Sequence, residues 1–159
     1  MRIIIACVGK LKETYWTQAV QEYQKRISRY AQVEIVEVAD QPAPERYSPA
    51  QAQAVIVREG ALLLSKIQPR DFVVPLCIEG KKHTSAAFSA ALQSYLAAAN
   101  GRLVFVIGGS LGLSGEVLAR ADATLSLSDM TFPHQLARVL LLEQLYRGFC
   151  IANNTPYHK

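Results

Sequence analysis

Leu103-Val104-Phe105-Val106-Ile107-Gly108-Gly109-Ser110-Leu111-Gly112 is the stretch that sets the architecture. Its five apolar residues read as a fully buried strand. The glycines after it fit a tight strand-to-helix turn, or a loop whose backbone comes close to a ligand. A second passage of the same kind follows. Ala123 to Ser128 reads as a strand, Ser128-Asp129-Met130-Thr131-Phe132 as a loop with little charge, and Pro133 to Phe149 as a helix. Strands alternating with helices predict an α/β domain with a mostly parallel sheet flanked by helices, one domain over residues 1–159. In such sheets ligands lie beyond the carboxyl ends of the strands, where both loops fall.

The remaining elements read outward from there. Arg2 to Val8 is a β-branched run suited to a central strand, and Glu13 to Tyr30 places Trp16, Ala19, Val20, Tyr23 and Ile27 on one helical face. Val33 to Val38 reads as a strand. Asp40 to Pro49, with three prolines, reads as a loop. Ser48 before Pro49 predicts a helix N-terminus, and that helix runs to about Lys66. Phe72 to Ile78 is an expected strand interrupted by Pro75. Thr84 to Ala99 is an alanine-rich helix stopped by Asn100-Gly101, and Ser114 caps a short helix to about Ala121.

The chain has 159 residues, of which half are hydrophobic and 19% charged, so it can bury a core. Its net charge of +4 is a mild sign of a polyanionic partner. Cys7, Cys77 and Cys150 are far apart and odd in number. Cys7 and Cys77 lie in apolar strand patterns, as buried, reduced thiols would. No Cys-x-x-Cys or His-Glu-x-x-His spacing points to a metal, and no window suits a membrane span, so a cytosolic protein is expected.

The glycine loop is neither a dinucleotide fingerprint nor a phosphate loop. A loop such as 128–132 suits a ligand held by main-chain groups, for example an adenine ring. Asp129 fits either a ligand contact or an Asx-turn. In the last helix Leu136, Val139, Leu140, Leu141, Leu142, Leu145, Tyr146 and Phe149 are apolar on nearly every side, which predicts a homodimer face besides the core. Arg138 and Arg147 point opposite ways. Arg147 suits an ion pair with Glu143, and Arg138 suits a helix-surface charge. The polar tail Asn153 to Lys159 reads, on composition, as a frayed end. It carries Tyr157 and a proton-exchanging His158.

Taken together, Val8-Gly9-Lys10, Glu59-Gly60, Ile107-Gly108-Gly109, Thr131-Phe132-Pro133-His134, Glu143-Gln144-Leu145-Tyr146-Arg147 and Pro156-Tyr157-His158 resemble the RlmH family of bacterial RNA methyltransferases, small members of the SPOUT class. The resemblance spans essentially the whole chain. It implies a C-terminal trefoil knot, an obligate homodimer, and S-adenosylmethionine bound through Leu76, Gly108, Leu127, Ser128, Asp129, Met130, Thr131 and Phe132. It implies Arg147, Tyr157 and His158 as catalytic candidates, and methylation of N3 of a pseudouridine in the helix 69 loop of 23S rRNA in the ribosome. Neither membrane, DNA nor metal is implied. Lys10, Lys12, Lys25, Arg26, Arg29, Lys81, Lys82, Arg138 and Lys159 are candidates for RNA phosphates. The rival classes are an RNA-binding protein that keeps the fold without catalysis and a flavodoxin-like nucleotide-binding enzyme. Pro75, before Leu76, puts local sheet pairing in question, and Gly148 is expected to loosen the helix end.

Overall fold

The computed structural model describes all residues from Met1 to Lys159. Its elements follow in the order β1 (Arg2–Val8), α1 (Thr14–Ile27), β2 (Gln32–Val38), α2 (Pro49–Leu64), β3 (Phe72–Pro75), α3 (Ser85–Ala98), β4 (Leu103–Ile107), α4 (Gly115–Ala119) and α5 (His134–Ala152). The four strands form one all-parallel sheet in the order β2-β1-β4-β3. Both central strands are buried on both faces, which is why they read as unbroken apolar runs.

Alternation along the strands divides the core in two. Ile3, Ile5, Cys7, Leu103, Phe105 and Ile107 meet α1, α3 and α5 on one face. Ile4, Ala6, Val8, Val104 and Val106 meet Leu63 of α2 and Val117 of α4 on the other. The helix starts follow the sequence signals. The Ser48 hydroxyl accepts from the Gln51 N–H while the Gln51 side chain accepts from the Ser48 N–H, a reciprocal cap with Pro49 next to it. Thr84 and Ser114 cap α3 and α4.

Several expectations need correction. Ala123–Ser128 forms no strand, only single bridges from Leu125 to Leu76 and from Ser126 to Lys82. The cause lies in the facing edge of β3. There the Val73 N–H is taken by the Asp122 carboxylate, at 2.8 Å, and Pro75 has no N–H to give. On the inner edge Pro75 does no harm, because the Leu76 N–H carries on the pairing to the Val106 carbonyl at 2.9 Å. β3 itself stops at Pro75, so Cys77 lies outside the sheet and is only partly buried. Helix α5 continues to Ala152, so Gly148 is interior. A Cβ at Gly148 would come within 3.3 Å of Leu92, and the Gly148 carbonyl accepts from the Ser89 hydroxyl at 2.6 Å. The glycine therefore serves close packing of α3 on α5. No helix is long and apolar enough to cross a membrane.

Candidate functional site

Three groups of residues gather near or along α5. The first lies at the carboxyl ends of β1 and β4. These strands are neighbours, but α1 leaves β1 toward one core cluster and α4 leaves β4 toward the other. Such divergence opens a crevice between the strand ends. A cavity of about 320 Å³ fills it, lined among others by Gly9, Lys10, Gln41, Glu59, Gly109 and His134. Gly9 turns there with φ +85°, a conformation that favours glycine.

Glu59 enters this cavity from α2 and is only 4% exposed. Its Oε2 accepts the Gln41 main-chain N–H at 3.1 Å, while Oε1 accepts no hydrogen bond from the chain. Burial raises its pKa, partly offset by the Gln41 N–H. Across the cavity, burial and then the Arg138 charge hold His134 below its ordinary value, so its imidazole is neutral at pH 7. Arg138 is not the surface charge expected of it. It is 1% exposed; Nη1 donates to Glu37 at 2.9 Å and Nη2 to the Gly9 carbonyl at 3.2 Å. It ties α5 to the ends of β1 and β2, and so is closed to RNA phosphate in this protomer.

The second group is the set of loops at residues 76–82, 108–113 and 125–132. They lie side by side. The Cys77 N–H donates to the Leu125 carbonyl at 3.0 Å and the Ser126 N–H to the Lys81 carbonyl at 2.9 Å. Lys82 pairs with Asp129. A Cβ at Gly108 would fall 2.9 Å from the Gly112 backbone, and Gly112 holds φ +92°. The Ser128 hydroxyl accepts from the Met130 N–H at 3.0 Å, shaping the bend. The main-chain N–H groups of Gly108, Leu127, Asp129, Thr131 and Phe132 donate no hydrogen bond within the chain. Unpaired main-chain donors in adjoining bends are what a cofactor bound through backbone contacts requires, so these residues fit one.

The third group sits at the far end of α5. Glu143 Oε1 accepts from Arg147 Nε at 3.0 Å, from Arg147 Nη2 at 2.5 Å and from the Tyr157 hydroxyl at 3.2 Å. The ion pair of Glu143 with Arg147 is the one the spacing predicts. Arg147 Nη1 lies 3.2 Å from His158 Nδ1, and its guanidinium lies 4.7 Å from the Tyr157 ring centre. Tyr157 also packs edge-on against Tyr146. The Tyr30 hydroxyl is 3.1 Å from the Thr155 hydroxyl. The tail is thus docked rather than frayed, because its two aromatic neighbours and one carboxylate give it partners that composition does not reveal. Burial first, then the phenol of Tyr23 and the Glu143 charge, push the Tyr157 pKa up to about 12.

Within one protomer no hydrogen bond joins the 127–132 loop to Arg147, Tyr157 or His158, although Ser85, beyond the 76–82 loop, donates to Gln144 at 2.9 Å beside Glu143. Phe132 leads directly into α5, and Arg147 is thirteen residues past His134, about 20 Å along a helix that rises 1.5 Å per residue. The sequence reading missed the cavity. Its signal was an acid, Glu59, inside an apolar helix between Val55 and Leu64.

A family model described as "Predicted SPOUT methyltransferase" matches residues 1–158. Ribosomal RNA large subunit methyltransferase H of Carboxydothermus hydrogenoformans is 48% identical over all 159 residues, covering 100% of both chains. The proteins of that name from Lactobacillus delbrueckii subsp. bulgaricus and an Exiguobacterium strain are each 49% identical over the same span. A probable methylase family protein from Haemophilus influenzae is similar in fold, with TM-score 0.50 and 13% identity, over 96% of this chain and 66% of that one.

Proposed function

The chain belongs to the SPOUT methyltransferase family, and on that premise we propose that it methylates N3 of a pseudouridine in the helix 69 loop of 23S rRNA. It acts as a homodimer on the ribosome, with S-adenosylmethionine as donor. Full-length relatives named for methylation of large-subunit ribosomal RNA support the substrate class. The observation that carries the cofactor reading is the set of main-chain donors without a partner in the chain, at Leu127, Asp129, Thr131 and Phe132, beside that of Gly108. Leu76 reaches the same place through its bond to Val106 and its bridge to Leu125.

The cofactor, when bound, supplies a sulfonium-activated methyl group: the N3–carbon bond forms as the sulfur–carbon bond breaks, the N3 proton leaves, and a neutral thioether remains. Leu76, Gly108 and residues 127–132 hold it by main-chain contacts and orient the methyl for in-line attack. The imide nitrogen attacks only as its proton departs. Arg147 aims its donors at an imide carbonyl oxygen and stabilises the anion. In the free protomer these donors rest on Glu143 and His158. Arginine only donates, so His158 Nδ1 accepts and the ring proton sits on Nε2. When Arg147 turns to the substrate, Nδ1 is released and takes the proton. Tyr157, with its pKa near 12, stays a phenol at neutral pH and serves as hydrogen-bond donor and stacking face, not as base.

The rise of about 20 Å along α5 from the 127–132 loop to Arg147 favours a site shared by two protomers, the 127–132 loop of one facing the tail of the other. Leu136 and Leu140, one turn apart on α5, stay half-buried outside both core clusters and suit the contact face. The knot implied by the family belongs to the same reading. The test is transfer of tritiated methyl to ribosomes by the wild type, Arg147→Ala and a chain ending at Pro156. Transfer by the wild type and strong loss in both variants is expected. No transfer by the wild type removes the function, and full activity in both variants removes the catalytic assignment.

A further inference from the structure

The crevice between β1 and β4 is assigned no role by the cofactor loops or the tail, yet it adjoins both the Gly108 turn and the start of α5. Gly109 and Ser110 line it directly after Gly108, and His134 lines it two residues after Phe132. Its volume of about 320 Å³ is near the lower end of the small-ligand range, about 300–1,000 Å³. That is room for one nucleoside turned out of an RNA loop and not for a helix. Lys10 and Lys12 are exposed beside it, free of ion pairs, where a flanking phosphate would lie.

The chemistry of its inner wall is specific. Glu59 presents a carboxylate oxygen, Oε1, that no group of the chain occupies, and its other oxygen is committed to the Gln41 N–H. Gly109 is the floor beside it; a Cβ there would lie 3.0 Å from Oε1. A carboxylate oxygen on a side chain only 4% exposed, open to a base-sized cavity and bonded to no group of the chain, suits a ring N–H. Uridine has one ring N–H, at N3, because N1 carries the sugar. Pseudouridine is joined to its sugar through carbon, so N1–H is a second donor, set at about 120° from N3 around the ring.

We infer that the crevice receives the base to be methylated and that Glu59 accepts its N1–H, making Glu59 the residue that distinguishes pseudouridine from uridine. This rests on the methyl transfer proposed above. With N1 anchored on Glu59, N3 is required to face the Gly108 side of the crevice, which Gly109 and Ser110 line. Both oxygens of Glu59 must accept, one from Gln41 and one from the base. Glutamine supplies a single acceptor, which the fixed Gln41 N–H claims. Its amide N–H₂ then faces the ring N–H, donor against donor.

The test measures kcat/KM on large subunits reconstituted with pseudouridine, uridine or N1-methylpseudouridine at the target, for the wild type and Glu59→Gln. The wild type is expected to prefer pseudouridine and to treat N1-methylpseudouridine as poorly as uridine. Glu59→Gln is expected to lose roughly tenfold or more on pseudouridine, as sites built around a hydrogen bond do, and to be unchanged on uridine. Cofactor affinity by calorimetry and the thermal unfolding midpoint should match the wild type. Equal losses on both substrates, or weakened cofactor binding, would overturn the assignment. So would wild-type turnover of N1-methylpseudouridine at the pseudouridine rate, which needs no variant and decides the matter even if Glu59→Gln does not fold. Absence of wild-type transfer to any substrate would instead strike the proposed function.

Discussion

The two ends of α5 are built on opposite plans. At its start, the bends at 108–112 and 127–132 offer main-chain donors with no partner, and Gly108 is held where a Cβ would collide with backbone. At its end, Glu143, Arg147, Tyr157 and His158 pair with one another until Arg147 has no idle nitrogen. One end is shaped by its backbone; the other is saturated by side-chain pairing. Backbone recognition needs a rigid contour fixed before the ligand arrives. Proton handling needs groups that can trade partners. With about 20 Å of helix between them, the proposed reaction calls for a second copy to bring the two ends together.

The contrast predicts different failures. At the tail end, Arg147→Ala should cut methyl transfer roughly a hundredfold to a thousandfold while cofactor affinity, read by calorimetry, stays put. A parallel loss of affinity would mean that the two ends are not separate. At the loop end, Gly108→Val drives side-chain atoms into the Gly112 backbone, and should cost about 1–3 kcal/mol of cofactor affinity. Ribosome binding by the same variant, measured by sedimentation, should be unaltered.

A smaller effect sharpens the picture of the tail. Tyr157 has its pKa raised by burial to about 12 in the folded chain, against about 10 unfolded. Its contribution to stability is therefore fully present below pH 10 and fades as pH climbs through 12. Denaturant unfolding across that window should show the wild type losing more stability than Tyr157→Phe. Identical alkaline profiles would mean that the tail is not docked as described.

Much of this architecture was readable from residue order. The β-branched run Arg2–Val8 and the Ser48-Pro49 cap depend on neighbours in sequence, and both elements start where local chemistry places them. What escaped depends on distant partners. Arg138 reads as a surface charge because its carboxylate, Glu37, lies 101 residues away on β2. The tail reads as frayed because Tyr30 and Tyr146 belong to other elements. Ala123–Ser128 has a strand's composition, but whether it pairs is decided by the donors that β3 leaves free. Gly148 suggests a helix end only until α3 is seen packed against it. Of the candidate site, the loops at 108 and 128–132 announced themselves through glycine and low charge. The crevice at Glu59 did not, because it forms from the ends of β1 and β4, which are far apart in sequence.

The shared site can be tested most directly with a heterodimer. One protomer carries Arg147→Ala and keeps sound loops; its partner carries Gly108→Val and keeps a sound tail, the pair being isolated through two different affinity tags. One of its two sites then combines intact loops with an intact Arg147, and about half of wild-type methyl transfer should return. Activity no greater than that of the two parent homodimers would contradict a site built from both protomers.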